Sequence, residues 1–220
     1  MKSEAQWVMQ NPKLGADYKS IYFISPDIGY LAGNGVILKT INGGNNWSQV
    51  YSTNKTIFSL YFVNDYTGYA SGEEGTILKT TNGGADWSLL NSGTNNYLAS
   101  IRFLNAETGY CVGQGSYILK TTNSGDTWSL KHSGSDCLYT VFFADSFTGW
   151  ASGFDVLPTA SIVYKTTDSG NNWVLQPTGF TGVHSSLYFI NSTTGYMASN
   201  SVCGTGEVIK TTNGGSRWNR

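Results

Sequence analysis

The sequence predicts an all-β protein: a β-propeller of four-stranded blades, with five repeat units and an extra outer strand at its start, either a five-bladed ring or a piece of a larger propeller. Three observations predict this. A turn motif, Thr-x-Asn/Asp-Gly/Ser-Gly-x-x-Trp, occurs five times, at 40–47, 80–87, 121–128, 166–173 and 211–218. Its Trp residues are 40, 41, 45 and 45 positions apart, and Trp7 lies 40 positions before Trp47. A period of about 40 residues with four strands in it is that of a propeller blade. Finally, charged residues are only 12% and aromatics 14%, with 27 Gly, a profile rich in turns and rings and poor in helix formers.

Each element of a unit follows in order. Strand A is a short apolar run that ends in Phe23, Phe62, Phe103, Phe143 or Phe189. Strand B opens on a Gly-aromatic pair: Gly29-Tyr30, Gly68-Tyr69, Gly109-Tyr110, Gly149-Trp150 and Gly195-Tyr196. Strand C is a β-branched run that closes on Lys39, Lys79, Lys120, Lys165 or Lys210, just before the turn motif. Strand D starts at the motif's Trp. The units are approximately 11–51, 52–91, 92–132, 133–177 and 178–220, a single domain, with 6–10 as the extra outer strand.

Connection lengths separate framework from variation. Phe to Gly, across the A–B turn, is six residues in every unit, and Asn/Asp to Trp, across C–D, is five. Only B–C changes strongly: Gly to Lys is 10, 11 and 11 residues, then 16 and 15. In an up-and-down blade the A–B and C–D turns share one face of the disc, and B–C and D–A share the other. Variation confined to one face is what a binding face on a rigid scaffold looks like.

The turn motif is read as a structural staple between C and D. The side chain of Asn42, Asn82, Asn123, Asp168 or Asn213 accepts backbone N–H groups, Gly44 and its equivalents adopt positive φ, and Trp47, Trp87, Trp128, Trp173 or Trp218 folds back on the blade. Four of the five acids are Asn, which argues against repeated metal sites, and neither metal nor cofactor is expected.

This motif resembles the Asp-box, or BNR repeat, over essentially the whole chain. The stretches 68–72 and 75–84, Gly-Tyr-Ala-Ser-Gly and Gly-Thr-Ile-Leu-Lys-Thr-Thr-Asn-Gly-Gly, look most like the photosystem II assembly factor family. The resemblance implies a propeller, often of seven blades in that family, that chaperones assembly of a reaction centre. Other bacterial proteins carry the repeat as secreted or surface modules.

Sialidases and other glycosidases also carry Asp-boxes. A sialidase needs three Arg converging on a carboxylate, and here only Arg102 lies in a blade strand, Arg217 being in the last turn motif and Arg220 at its end. A two-carboxylate glycosidase is the alternative, with Asp17, Glu73, Glu74, Asp136, Asp155 and Glu207 as the acids of the variable face. Six scattered loop acids read as solvated, so the primary expectation is a non-catalytic scaffold that binds a protein or glycan.

The expected ligand surface is the variable face, above all the B–C insertions around Phe154-Asp155 and at 200–206. Tyr139 and His184 are placed at the mouth of the central channel, with Phe58 and Tyr97 extending an aromatic rim. Such anchors suit a protein segment or a sugar ring. Arg102 replaces an aromatic (Tyr22, Tyr61, Phe142, Tyr188); it either reaches a ligand or stacks on neighbouring rings. Cys111 aligns with Leu31, Ala70, Ala151 and Met197 and reads as a buried thiol, while a Cys137–Cys203 pair is left open.

With 13 basic and 14 acidic residues the net charge is −1, so nucleic acid is not an expected partner. No apolar run reaches the ~18 residues of a membrane span. Residues 1–7 hold no apolar leader, which leaves a cytosolic protein or one whose leader lies outside this sequence; the low charge and the Asn, Thr, Gly and Tyr content fit a secreted, periplasmic or surface protein better.

Overall fold

The computed structural model describes residues 17–155, 160–181, 183–200 and 206–220, and among them every regular element is a strand. Unit one holds β1 (Tyr18–Phe23), β2 (Gly29–Thr40) and the first part of β3 (Ser48–Phe62). Unit two holds the rest of β3, then β4 (Gly68–Gly72), β5 (Ile77–Thr80) and β6 (Ser88–Leu90). Unit three is β7 (Leu98–Phe103), β8 (Gly109–Gly113), β9 (Ile118–Thr121) and β10 (Ser129–His132). Unit four is β11 (Cys137–Phe143), β12 (Gly149–Phe154), β13 (Ser161–Thr166) and β14 (Val174–Gln176). Unit five is β15 (Val183–Phe189), β16 (Gly195–Asn200) and β17 (Gly206–Thr211), with a bridge from Lys210 to Asn219 at the outer position. Sequence neighbours pair antiparallel throughout, which is the up-and-down propeller order. Trp7 and the extra strand at 6–10 lie outside the described residues.

One connection differs from expectation. The D–A link between units one and two is not a loop: β3 runs unbroken from Ser48 to Phe62, pairing β2 through Ser48–Ser52 and β4 through Ile57–Phe62. The reason is local. Asn34, in the short B–C stretch of unit one, bridges Thr56 and holds the link extended.

The Phe that ends strand A organises each unit. It pairs across the A–B hairpin with the Gly of Gly-aromatic (Phe62 with Gly68, Phe103 with Gly109). The ring lies over that Gly so closely that a Cβ on Gly68 would stand 2.5 Å from Phe62, which is why a side chain is absent there. The box Trp packs edge-on against the same Phe in all five units, at centroid distances of 5.9–6.1 Å. The other face of the Phe receives the aromatic of the preceding unit: Tyr30 on Phe62 at 4.1 Å, Tyr69 on Phe103 at 3.9 Å, Tyr110 on Phe143 at 4.2 Å and Trp150 on Phe189 at 3.5 Å. Offset-stacked and T-shaped pairs of this kind add about 0.5–1.5 kcal/mol each beyond area burial. The core is therefore four blade-to-blade layers, each drawing residues from two successive units.

The turn motifs close the layers at one end. In unit one the Thr40 hydroxyl accepts from Gly44 N–H at 2.9 Å and donates to Asn42 Oδ1 at 3.1 Å, and Asn42 Oδ1 accepts from Asn46 N–H at 2.9 Å. The same pattern recurs around Thr80, Thr121, Thr166 and Thr211. Two successive residues take positive φ, not one: Gly43 and Gly44 in unit one, but Ser124 and Gly125 in unit three. Each turn also donates a backbone N–H to the A–B turn of its own unit, as Gly83 does to Tyr66 and Gly214 to Thr193. The A–B and C–D turns thus share one face, as expected. Trp173 and Trp218 are buried, whereas Trp47, Trp87 and Trp128 are half-buried.

Candidate functional site

Strand A begins at the opposite, variable face. All five A strands carry a register shift at one equivalent place, between Tyr18/Ser20, Ile57/Ser59, Leu98/Ser100, Leu138/Thr140 and His184/Ser186. A bulge turns one extra side chain out of the ladder. In the first four units the residues so released are Lys19, Phe58, Ala99 and Tyr139. The next residue ties the units together: Ser20 Oγ accepts from Leu60 N–H and Ser59 Oγ from Ile101 N–H, at 3.1 and 3.3 Å.

Four of the residues expected at the ligand surface meet at this level. Phe58 and Tyr97 are edge-on at 5.9 Å, and Tyr139 stacks on Phe154 at 5.6 Å with an interplanar angle of 14°. Burial, then interaction with Cys137 and Tyr139, holds the Tyr97 phenol well above its usual pKa, so Tyr97 joins the two pairs. The result is a belt of four rings across units two, three and four. Phe154 ends β12, opposite Cys137 and Ser161. Asp155 N–H donates to the Ala160 carbonyl at 2.8 Å, and the insertion between them, 156–159, lies outside the described residues. So do 201–205 of the second insertion, Cys203 included. His184 pairs through its backbone with Ser199, and its side chain is likewise not described. Cys137 is a half-buried free thiol, and Cys111 a fully buried one whose pKa burial pushes up.

Arg102 is not part of this belt. It precedes Phe103 at the far end of β7, by the A–B turns. Its guanidinium lies 4.7 Å from the Phe142 ring centroid and 6.0 Å from that of Tyr61. It lines a cavity of about 330 Å³ together with Asn105 and Asp145. Of the two readings of Arg102, the structure shows the stacking on neighbouring rings, Tyr61 of the preceding unit and Phe142 of the next, near the A–B turns rather than beside the aromatic belt.

The acids of the variable face are engaged. Lys19 pairs with Asp17, Lys55 with Glu74 and Arg220 with Glu207, while Glu73 accepts the Thr56 N–H at 2.7 Å. Asp136 accepts from the Ser116 and Tyr164 hydroxyls at 3.2 and 3.3 Å. His132 lies against Tyr164, its pKa lowered by burial. Apart from Asp136, this knot between units three and four escaped the sequence reading because its members are scattered over the B–C connection of unit three, the end of β10 and the middle of β13. Among the described residues no three His, Cys, Asp or Glu converge as metal ligands, and no helix is long and apolar enough to cross a membrane.

The profile of the photosynthesis system II assembly factor YCF48 family matches residues 49–201, well over half of the chain. The chain belongs to this family. Solved structures share the fold. YCF48 from Cyanidioschyzon merolae superposes with a TM-score of 0.69 at 14% identity, over 98% of this chain and 88% of that one. A structure described as YCF48 bound to D1 peptide gives 0.51 at 18%, over 96% and 86%. The GH74 enzyme of Niastella koreensis gives 0.74 at 19%, over 92% of this chain but 38% of the enzyme. No curated protein sequence matches.

Proposed function

We propose that the chain is a non-catalytic propeller scaffold that binds a protein segment at the variable-face mouth of its channel. The observation that carries this is the belt of Phe58, Tyr97, Tyr139 and Phe154, with Phe58 and Tyr139 held at strand-A bulges. Rigid, partly exposed aromatics are the side chains that most often anchor a partner. The relative described as bound to D1 peptide supports a peptide as the ligand class. The engaged state of Asp17, Glu73, Glu74, Asp136 and Glu207 supports the scaffold over a glycosidase, which needs an acid pair free to act on a glycosidic bond.

A second reading rests on Arg102. Its cation is held by two rings in a cavity on the opposite rim, a setting that suits a carboxylate of a peptide. One experiment separates the two. Short peptides are selected on the immobilised chain and their affinities measured by calorimetry. The variable-face site predicts that Tyr139→Ala and Phe154→Ala each weaken binding by ~30-fold, about 2 kcal/mol, with Arg102→Gln unchanged. Loss only in Arg102→Gln moves the site to the other rim. Hydrolysis of a β-glycan, abolished by changing one variable-face acid to its amide, would replace the scaffold by the enzyme.

A further inference from the structure

Most of the inter-unit rings of this chain already hold a cation. Each Gly-aromatic ring carries the Lys that ends strand C of its own unit: Lys39 on Tyr30 at 5.6 Å, Lys79 on Tyr69 at 5.8 Å, Lys120 on Tyr110 at 5.9 Å, Lys165 on Trp150 at 5.6 Å and Lys210 on Tyr196 at 5.5 Å. Arg102 does the same between Tyr61 and Phe142. The belt is the exception. Phe58, Tyr97, Tyr139 and Phe154 are all half-buried, and among the described residues no Lys or Arg lies over any of these four rings. The face of an aromatic ring is electron-rich and attracts a cation.

Four carboxylates flank the belt. Glu73 is bonded to Thr56, two residues before Phe58: its N–H donates to the Thr56 carbonyl, and its Oε2 accepts the Thr56 N–H. Glu74 follows it. Asp136 precedes Cys137, which pairs with Phe154, and Asp155 follows Phe154 directly. One cation, Lys55, answers these acids, and Glu74 takes it at 3.0 Å. Lys131 belongs to the outer strand β10, where it acts on Lys120. His132, beside Asp136, has its pKa lowered by burial and is neutral at pH 7. Glu73 and Asp136 accept from a backbone N–H and from hydroxyls, and neutral donors leave a carboxylate its charge. In unit one the bulge residue is itself a cation, Lys19, and it is paired with Asp17. The unanswered negative charge thus lies in units two to four, where the rings are.

We infer that the protein segment docked on the belt is basic, and that it lays a Lys or Arg side chain across the open ring faces between these acids. The inference rests on the belt being the docking site, as proposed above, and adds the chemistry of its occupant. Charge complementarity decides that chemistry. A basic side chain meets an electron-rich face and a negative rim together, whereas an acidic one meets like charge at the rim and an unfavourable ring face. A sugar ring stacks on the same faces but leaves the charge unanswered.

A random peptide library, displayed and selected on the immobilised chain, tests this. Only clones that fail to bind the double variant Tyr139→Ala/Phe154→Ala, shown to be folded by circular dichroism, are counted. Those clones should carry Lys and Arg at about twice their frequency in the unselected library or more, and be depleted in Asp and Glu. The peptide of the tightest clone is then synthesised. Its affinity for the wild type should fall ~5-fold between about 50 and 200 mM NaCl. The double variant Glu73→Gln/Asp136→Asn should bind it ~10-fold more weakly, with a flatter salt dependence. Both changes keep an acceptor oxygen for the local hydrogen bonds. Lys55→Gln, which frees Glu74 of its ion pair, is the independent check should that variant fold poorly, and it should tighten the same peptide about 3-fold. Belt-dependent clones without an excess of basic residues, or an affinity that neither charge variant moves, overturn the inference and leave the scaffold reading standing. An absence of belt-dependent clones overturns both.

Discussion

The phenol of Tyr30 donates to the carbonyl of Gly83 at 2.7 Å, and its ring occupies the space where a Cβ on Gly84 would stand, 2.6 Å from the nearest ring carbon. One side chain of unit one thus fixes both glycines of the turn in unit two. This explains why the Gly-aromatic pair and the turn motif recur together: they are two halves of the joint between blades.

Gly84→Ala is expected to destabilise the chain by about 2–4 kcal/mol, combining overpacking against Tyr30 with a side chain at φ 74°. Gly93 is the control. It has nearly the same φ, 75°, but nothing within 4 Å of a Cβ, so Gly93→Ala should cost only about 1 kcal/mol. Urea titrations of both variants measure the difference, which isolates the ring contact. Equal losses would mean the joint yields at no cost.

Thr121→Val should cost about 1–3 kcal/mol. It keeps the shape of a buried side chain but removes the hydroxyl that accepts from Gly125 N–H at 2.9 Å and donates to Asn123 Oδ1 at 2.9 Å, leaving Gly125 N–H unpaired. Thr121→Ser restores the hydroxyl and should recover most of the loss. Denaturant midpoints of the two variants decide this.

Asp168 gives the chain one acid-sensitive turn. Hydrogen bonds from the Asn172 backbone and side chain and from Thr166 hold its carboxyl down at about 2. Because the folded value is depressed, the stabilisation is present above the unfolded carboxylate range and is lost as pH falls through the folded value. The difference in melting temperature between the wild type and Asp168→Asn should therefore shift against the wild type from pH 5 down to pH 2. A difference that stays constant over that range would remove Asp168 from the acid response.

Cys111 and Cys137 should separate kinetically. Cys111 is fully buried with its pKa raised by burial, while Cys137 is half-buried beside Tyr97 and Tyr139. A thiol reagent at neutral pH should modify Cys137 on the native chain and reach Cys111 only on unfolding. Peptide mapping of the modified chain identifies the site, and a bound ligand on the aromatic belt should slow the reaction at Cys137.

The sequence by itself determined the blade. The period of Trp47, Trp87, Trp128, Trp173 and Trp218, the Phe-to-Gly spacing of six and the turn motif are local patterns, and each maps onto a hairpin or turn whose geometry is set within a few residues. For the same reason it placed the A–B and C–D turns on one face and put Phe58, Tyr97, Tyr139 and Phe154 on the other. Tertiary structure alone decided what joins the units. That the Lys before each turn and the aromatic after each Gly reach the next unit depends on how two sheets stack some 40 residues apart in sequence, and no single period contains it. The same limit left Arg102 between two readings. Its substitution for an aromatic is visible in an alignment of the units, but which rings it meets depends on how neighbouring units stack. The exposure of Phe23 and Tyr196 is of this kind too, for identical motifs are buried in the interior and bare at the ends, and only their neighbours in space distinguish them.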